Sequence, residues 1–231
     1  MNNEYSNLEL NRLEKLERLR SQGHEPYPTR SERTHTSLQA TRLFEAAEAA
    51  AAETAAAGGE GQAQPVVVAL AGRLRAIRPM GKITFAHIDD VDGRIQLFLR
   101  ANDVGQEALD LFNREFDLGD FVQATGEMFR TRTGEVTLRV QSFRMLAKAV
   151  TPLPAAKDEL VDGQVVRHAT LADPEMRYRQ RYADLAVNPD VRRIFRQRAA
   201  TVTALRQFLD QHGFLEVETP ILQPIYGGAA A

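Results

Sequence analysis

The fold is decided by residues 66–99, which read VVVALAGRLRAIRPMGKITFAHIDDVDGRIQLFL. The first ten of these residues are rich in β-branched and other apolar side chains, and a glycine at 72 marks a bend. Two shorter runs, 83–88 and 94–99, follow glycine-containing turns at 80–82 and 92–93. Apolar runs of this length between turn residues predict three consecutive strands, over 66–75, 83–88 and 94–99.

A helix and two more strands are predicted downstream. Leu109, Phe112 and Phe116 share one face of a helix over about 104–116. Strands over 121–128 and 135–147 then flank a tight turn at 133–134. Three strands, a helix and two strands form the order of a five-stranded OB-fold β-barrel.

The segments on either side of the barrel are predicted to be mainly helical. One helix spans 8–20, and its basic residues are either solvated or lend positive charge to an RNA surface. A second spans about 37–57, with Thr36 or Ser37 as its cap, and a long amphipathic helix spans 190–211 before a short strand at 215–220. The fold class is therefore α+β, with predicted boundaries of 1–64 for a helical extension and linker, 65–148 for the barrel, 149–172 for a linker or insertion, and 173–231 for an incomplete further domain.

Composition excludes several functional classes. The 231 residues include 29 Lys plus Arg and 31 Asp plus Glu, which gives a net charge of -2. This charge excludes a protein that coats nucleic acid through an overall positive charge. Without cysteine there are no disulfides or thiol nucleophiles, and the five histidines lack metal-ligand spacing, so no metal site is predicted. No apolar run approaches a membrane span and the N-terminus does not resemble a signal peptide, so a cytoplasmic protein is expected.

Four residues of the predicted barrel are candidates for binding an unpaired base. OB barrels most often bind oligonucleotides on strands two and three, where Phe85 and Gln96 lie, while Arg78 precedes these strands and Glu135 follows the fourth. A ring can stack on a base while an amide, a guanidinium and a carboxylate read its edge. The pattern alone leaves open that Phe85 is a core residue and that Gln96 and Glu135 are solvated. No catalytic residue set is found in the chain.

Eight segments in order resemble the N-terminal half of a class II lysyl-tRNA synthetase. They are Gly23–Pro28, Ala71–Lys82, Gly93–Leu97, Asp117–Asp120, Phe129–Glu135, Pro152–Pro154, Arg177–Leu185 and Gly213–Pro220. The last looks like motif 1 of the family. The resemblance implies that Phe85 stacks on the central uridine of the tRNA(Lys) anticodon, and that Arg78, Gln96 and Glu135 recognise the same base.

The remaining implications concern catalysis and assembly. Motif 1, from about Asp190 to Pro220, would build a homodimer interface, and Gly227, Gly228 and Ala229 match a loop near the bound lysine. The family uses ATP and Mg²⁺ to make lysyl-adenylate and transfers lysine to tRNA(Lys). Its motifs 2 and 3, which bind ATP and Mg²⁺, would lie beyond residue 231, so we expect a chain truncated after motif 1 and inactive alone.

Other readings remain open at this point. The chain can be a free-standing OB module that binds tRNA or single-stranded RNA without catalysis, although the apolar face of helix 190–211 would then lack a partner. It can also be an aspartyl or asparaginyl relative, but the segments Ile77–Lys82 and Arg177–Tyr182 favour lysine. A synthetase-like enzyme that makes lysyl-lipid would need a membrane segment, which is not predicted here.

Overall fold

The computed structural model describes residues 5–58, 61, 64–154, 157–161, 164–168, 171, 173–221 and 227. The chain divides into two compact units, Met1–Pro152 and Leu153–Ala231. In the described residues, the first unit contains helices and a closed five-stranded barrel, and the second contains a two-stranded hairpin and helices. This confirms the α+β fold class with a central OB barrel.

The first unit begins with two capped helices, α1 (Asn7–Ser21) and α2 (Ser37–Ala56). The side chain of Thr36 accepts a hydrogen bond from the backbone of Gln39, whose own side chain accepts one from the backbone of Thr36. This reciprocal capping satisfies two backbone N–H groups that the helix itself leaves unpaired. Thr36 is therefore the cap, one of the two residues predicted for it.

The cationic side chains of α1 fasten the helix to the rest of the first unit. Arg12 is buried and donates to the carbonyl oxygens of Ala149 at 2.8 Å and Leu118 at 3.1 Å. Further along the helix, Lys15 pairs with Asp117 at 2.7 Å and Arg18 with Glu115 at 3.1 Å. All three cations therefore have partners within the first unit, and of the three only Arg18 is exposed to solvent.

Five strands close into the barrel in the order β1-β2-β3-β5-β4. The β3–β5 pair is parallel and the other four pairs are antiparallel, which is the closure of an OB fold. The first strand continues five residues beyond its predicted end, because it pairs with the whole of the second. The strands are β1 (Val67–Met80), β2 (Ile83–Asp89), β3 (Arg94–Arg100), β4 (Phe121–Arg130) and β5 (Val136–Ala147).

The helical segment between β3 and β4 is broken in two. It was predicted as one helix over 104–116, but the structure has α3 (Ala101–Val104) and α4 (Gln106–Glu115). Gly105 separates them with φ 89°, a left-handed conformation that glycine adopts without steric cost. Leu109 and Phe112 of α4 are fully buried in the barrel core, as their spacing predicted.

A buried ionic cluster ties the end of β5 to the loop before β4. Lys148 is fully buried, and its Nζ lies 2.6 Å from Asp117 Oδ2 and 2.8 Å from Asp120 Oδ2. Asp120 also accepts the backbone N–H of Ala149 at 2.8 Å. Burial opposes ionisation of Asp117, but hydrogen bonds from Lys148 and Lys15 outweigh it and hold the pKa of Asp117 below its ordinary value.

Acid is expected to weaken this cluster. Because the pKa of Asp117 is lower in the folded than in the unfolded chain, its stabilisation is complete above the unfolded value of about 3.9 and is lost as pH falls below it. We expect Asp117→Asn to lower the free energy of unfolding at pH 7 and the difference from wild type to narrow below about pH 4. Urea unfolding at pH 7, 4 and 3 measures this, with the exposed Asp92→Asn as the control. A difference that stays constant over this range would contradict the assignment.

The second unit contains β6 (Lys157–Val161), β7 (Gln164–His168), α5 (Pro174–Arg179), α6 (Arg181–Val187) and α7 (Pro189–Gln211). The hairpin β6–β7 lies within 149–172, where a linker or insertion was predicted. Residues 214–220, predicted to include a strand, pair with no strand in the described part of the chain, and a strand forms only against a partner. The predicted long helix starts one residue early, at Pro189.

One buried carboxylate of α6 joins α5 to α6 and to the N-cap residue of α7. Asp184 is fully buried and accepts hydrogen bonds from Arg177 at 3.1 Å, from Asn188 at 2.7 Å, and from Arg181. Burial opposes ionisation here too, but these hydrogen bonds hold the pKa of Asp184 below its ordinary value. None of the described helices is long and apolar enough to cross a membrane.

Candidate nucleic-acid interface

The strand alternation of β2 and β3 separates a core face from an outer face. Every second side chain is buried in the barrel, including those of Ala86 and Ile88 in β2 and of Leu97 in β3. The side chains between them are partly exposed. Phe85 is one of the partly exposed residues, so it lies on the outer face and not in the core. The β2–β3 register sets Phe85 opposite Phe98 and His87 opposite Gln96, so these four share that face.

Polar side chains on this face hold one another in a fixed arrangement. Gln96 Nε2 donates to Glu135 Oε2 at 2.8 Å, and Thr137 Oγ1 donates to Gln96 Oε1 at 2.9 Å. His87 Nε2 lies 3.2 Å from the other oxygen of Glu135. The amide of Gln96 is therefore oriented from both ends, with one N–H and one oxygen lone pair left for a ligand.

Aromatic rings line the same face. The ring centroids of Phe85 and Phe98 are 5.1 Å apart, and those of Phe98 and Phe129 are 5.8 Å apart. We call Phe85, Phe98 and Phe129 the aromatic row. Beside it, the guanidinium carbon of Arg139 lies 5.1 Å from the ring centroid of Phe129.

Three cations without acidic partners among the described residues stand around this face, one in β1 and two at turns. The side chains of Arg78, Lys82 and Arg132 are exposed and form no hydrogen bond or ion pair with any residue in the described ranges. Arg78 is opposite Phe85 in the β1–β2 register. Three further arginines nearby are compensated, in the pairs Arg94–Asp89, Arg100–Asp103 and Arg130–Glu48.

The structure thus gathers all four predicted barrel residues on or beside one face. It adds His87, Phe98, Phe129 and Arg139, which sequence reasoning missed. The period of two from Phe85 and from Gln96 would have pointed to His87 and Phe98, but the contribution of β4 and β5 depends on the closed barrel. Chemically, the face offers a ring for stacking, an oriented amide for an edge, and free cations for phosphate.

Two family models match separate parts of the chain. A model of the OB-fold nucleic acid binding domain matches residues 68–146, and one of class II tRNA synthetases (D, K and N) matches residues 173–231. A lysine–tRNA ligase from Pelotomaculum thermopropionicum is 46% identical over 220 residues, which is 95% of this chain. Relatives of the same name from Carboxydothermus hydrogenoformans and Clostridium novyi are each 44% identical, over 95% and 99% of the chain.

The chain is thus similar to lysine–tRNA ligases over 95% to 99% of its own length. It spans 38% to 39% of the length of these three relatives. The match to the OB-fold domain covers the barrel from β1 to β5, so the face described above lies within a domain type that binds nucleic acid.

The other residues expected from the lysine–tRNA ligase resemblance lie in the second unit. Pro220 is exposed at the end of the segment after α7, and Gly227 is exposed with no atom near its Cβ position. Gly228 and Ala229 lie outside the described residues. The helix α7 carries exposed apolar side chains at Ile194, Phe195, Val202, Leu205, Phe208 and Leu209.

Proposed function

We propose that this chain is the anticodon-recognising part of a lysyl-tRNA synthetase. The whole enzyme would activate L-lysine with ATP and transfer it to tRNA(Lys), in the cytoplasm. The observation that carries the proposal is the oriented Gln96 amide beside the outward ring of Phe85. The similarity to proteins named lysine–tRNA ligase supports the activity.

The fixed amide of Gln96 explains a preference for uridine at the central anticodon position. Uracil presents an N3–H donor beside an O4 acceptor, which match the free oxygen lone pair and the free N–H of Gln96. Cytosine presents the opposite pattern, an acceptor at N3 and a donor at N4. Binding of cytosine would require the Gln96 amide to flip. The flip would turn Gln96 Nε2 towards Thr137 and Gln96 Oε1 towards the Glu135 carboxylate. Glu135 therefore selects the base through Gln96.

Phe85 and Arg78 would hold the same nucleotide. A base stacked on Phe85 is brought to the edge of Gln96, and stacking of this kind contributes about 1–3 kcal/mol per base. Arg78 is opposite Phe85 in register and has no acidic partner among the described residues, so its charge is available to that nucleotide. Binding energy and base selection are thus divided between the ring and the polar residues.

For the second unit, we propose a role in assembling two copies of the enzyme. Exposed apolar side chains along one long helix indicate a surface that a partner covers, and we propose a second copy of the enzyme, joined through α7 and the segment to Pro220. Gly227, Gly228 and Ala229 would belong to the lysine loop. No three carboxylates or imidazoles cluster for Mg²⁺ in the described part of the chain, and we propose no role in ATP or Mg²⁺ binding for its residues.

Anticodon preference tests the proposal. At fixed salt, we expect the chain to bind an anticodon stem-loop with UUU more tightly than the same stem with UCU, which changes only the central base. Phe85→Ala should weaken UUU binding by about 5-fold or more, since it removes the stacking ring. Phe121→Ala, at the far end of β4, is the matched control and should retain wild-type binding.

Fluorescence anisotropy titration measures both effects. Equal binding of the UUU and UCU loops would contradict the proposal and indicate a general RNA-binding barrel held mainly by phosphate contacts. Absence of binding to either loop, by a chain whose far-UV circular dichroism shows it folded, would also overturn it.

A further inference from the structure

Helix α2 is fixed to both hairpins that carry the proposed base-selecting residues. At its first residue, the Ser37 hydroxyl donates to Asp90 Oδ1 at 2.7 Å, in the turn between β2 and β3. Two turns later, Phe44 is buried in the cluster that forms the barrel core. One turn further, Glu48 faces Arg130 at the end of β4, and each carboxylate oxygen lies 3.2 Å from Arg130 Nε. The helix therefore contacts the β2–β3 hairpin at one end and the β4–β5 hairpin at the other.

Arg130 connects this helix to the tip of the β4–β5 hairpin. Its Nε and Nη2 atoms donate to the Glu48 carboxylate, while its Nη1 donates to the carbonyl oxygen of Gly134 at 2.9 Å. In the same turn, the backbone N–H of Glu135 donates to Thr131 Oγ1 at 3.0 Å. A guanidinium holds its donors in one rigid plane, so the carboxylate that fixes the fork also fixes the donor to Gly134. The position of the backbone beside Glu135 therefore depends on Glu48.

The side chain of Glu135 needs such support because burial does not fix it. It is 46% exposed, and its two oxygens contact Gln96 Nε2 at 2.8 Å and His87 Nε2 at 3.2 Å. A displacement of about 1 Å away from Gln96 would stretch that hydrogen bond to about 3.8 Å, beyond hydrogen-bonding distance. Small movements of the turn thus decide whether the Gln96 amide stays oriented.

We propose that Glu48 is a positioning residue for base selection, acting through Arg130 on Glu135. This inference rests on the proposed function, in which Glu135 orients the Gln96 amide. Loss of the Glu48 carboxylate frees the Arg130 fork and lets the hairpin turn shift. The Gln96 amide can then flip and accept cytosine, while stacking on Phe85 is retained. A helix of the N-terminal extension thus takes part in choosing the base.

Binding of the UUU and UCU stem-loops to the 231-residue chain tests this role. Glu48→Gln keeps the size of the side chain and removes its charge. We expect it to lower the ratio of UUU to UCU affinity by about 3-fold or more, mainly because the UCU loop binds more tightly. A change in surface charge acts on the phosphates of both loops equally, so it cancels in this ratio.

Three further variants isolate the route from Glu48 to the base. Arg130→Lys keeps the positive charge but cannot bond the Glu48 carboxylate and the Gly134 carbonyl together, so it should lower the ratio as Glu48→Gln does. Glu53→Gln removes the same charge from an exposed side chain of the same helix that bonds to no described residue, and should keep the wild-type ratio. In a Glu135→Gln background, Glu48→Gln should change the ratio by less than about 1.5-fold, because both act through one residue.

A second measurement requires no RNA. We expect the side-chain amide resonance of Gln96, followed by NMR, to move in Glu48→Gln towards its position in Glu135→Gln. In Glu53→Gln it should stay at the wild-type position. This resonance reports the Gln96–Glu135 hydrogen bond directly, which a general loss of stability would not shift in a folded chain.

The outcomes separate this inference from the proposed function. The role of Glu48 is overturned if Glu48→Gln leaves the ratio of a discriminating wild type unchanged, or lowers it equally in the Glu135→Gln background. If the wild type binds UUU and UCU loops equally or not at all, but Glu48→Gln moves the Gln96 resonance, the proposed function fails and the positioning of Gln96 stands. If the loops are not distinguished and the resonance does not move, both are overturned.

Discussion

Replacing Lys148 with methionine will destabilise the barrel by about 3–5 kcal/mol. The Lys148 ammonium is fully buried and lies within hydrogen-bonding distance of two carboxylates, Asp117 and Asp120. Asp120 is fully buried as well, so the substitution leaves a carboxylate in a low-dielectric site without its countercharge. Asp117 retains Lys15, so most of the loss arises at Asp120.

Urea unfolding, monitored by hydrogen exchange of the barrel amides, measures this loss in the free energy of unfolding. The matched control is Arg20→Met, which breaks an exposed ion pair with Glu17 and should change the free energy of unfolding by no more than about 0.5 kcal/mol. A Lys148→Met barrel within 1 kcal/mol of wild type would show that the cluster is not a stabilising element.

Gly126→Ala will cost about 3 kcal/mol or more and will disturb the outer face of β5. A Cβ atom at Gly126 would lie 1.9 Å from the carbonyl oxygen of Arg139, which is backbone and cannot rotate away. The two strands come this close where their register shifts, between Thr125 and Gly126. Relieving the clash requires β5 to move at Arg139, whose guanidinium lies over the Phe129 ring on the outer face.

Gly93→Ala provides the comparison for this substitution. The nearest atom to a Cβ at Gly93 is Ser37 Oγ at 3.5 Å, an ordinary contact, so its expected cost is below about 1 kcal/mol. The two variants should differ by at least about 2 kcal/mol in urea unfolding. Equal stability of the two would mean that β4 and β5 separate at no cost at Gly126.

The order of barrel elements was predictable because its signals are local. Glycine turns and a period of two identify β1, β2 and β3, and the spacing of Leu109 and Phe112 identifies their helix. The break at Gly105 was not predictable, because a glycine within a helical pattern does not reveal that the chain must turn there. The β6–β7 hairpin was missed as well, although the sequence carries its turn signal, an Asp-Gly pair at 162–163 with valines at 161 and 165.

Only part of the candidate interface was predictable, because local sequence signals identify some of its residues and barrel closure places the others. Phe85, Gln96, Arg78 and Glu135 were predicted, and the structure brings them to one face. The support of Gln96 by Thr137 comes from the parallel β3–β5 pair, which joins residues 41 positions apart. Such pairing is set by barrel closure and leaves no periodic trace in the sequence. The same holds for Phe129 and Arg139.

The attachment of α1 sets the order in which the barrel unit is completed during synthesis. Arg12 bonds to Ala149, which is 137 positions later, and Arg18 to Glu115, which is 97 positions later. At about 5–20 residues per second, a ribosome takes about 7–27 s to travel from Arg12 to Ala149. A 15-residue helix is marginally stable by itself in water, so α1 leaves the ribosome first and docks last. The nascent chain thus exposes the buried face of its first helix until the final barrel strand has been made.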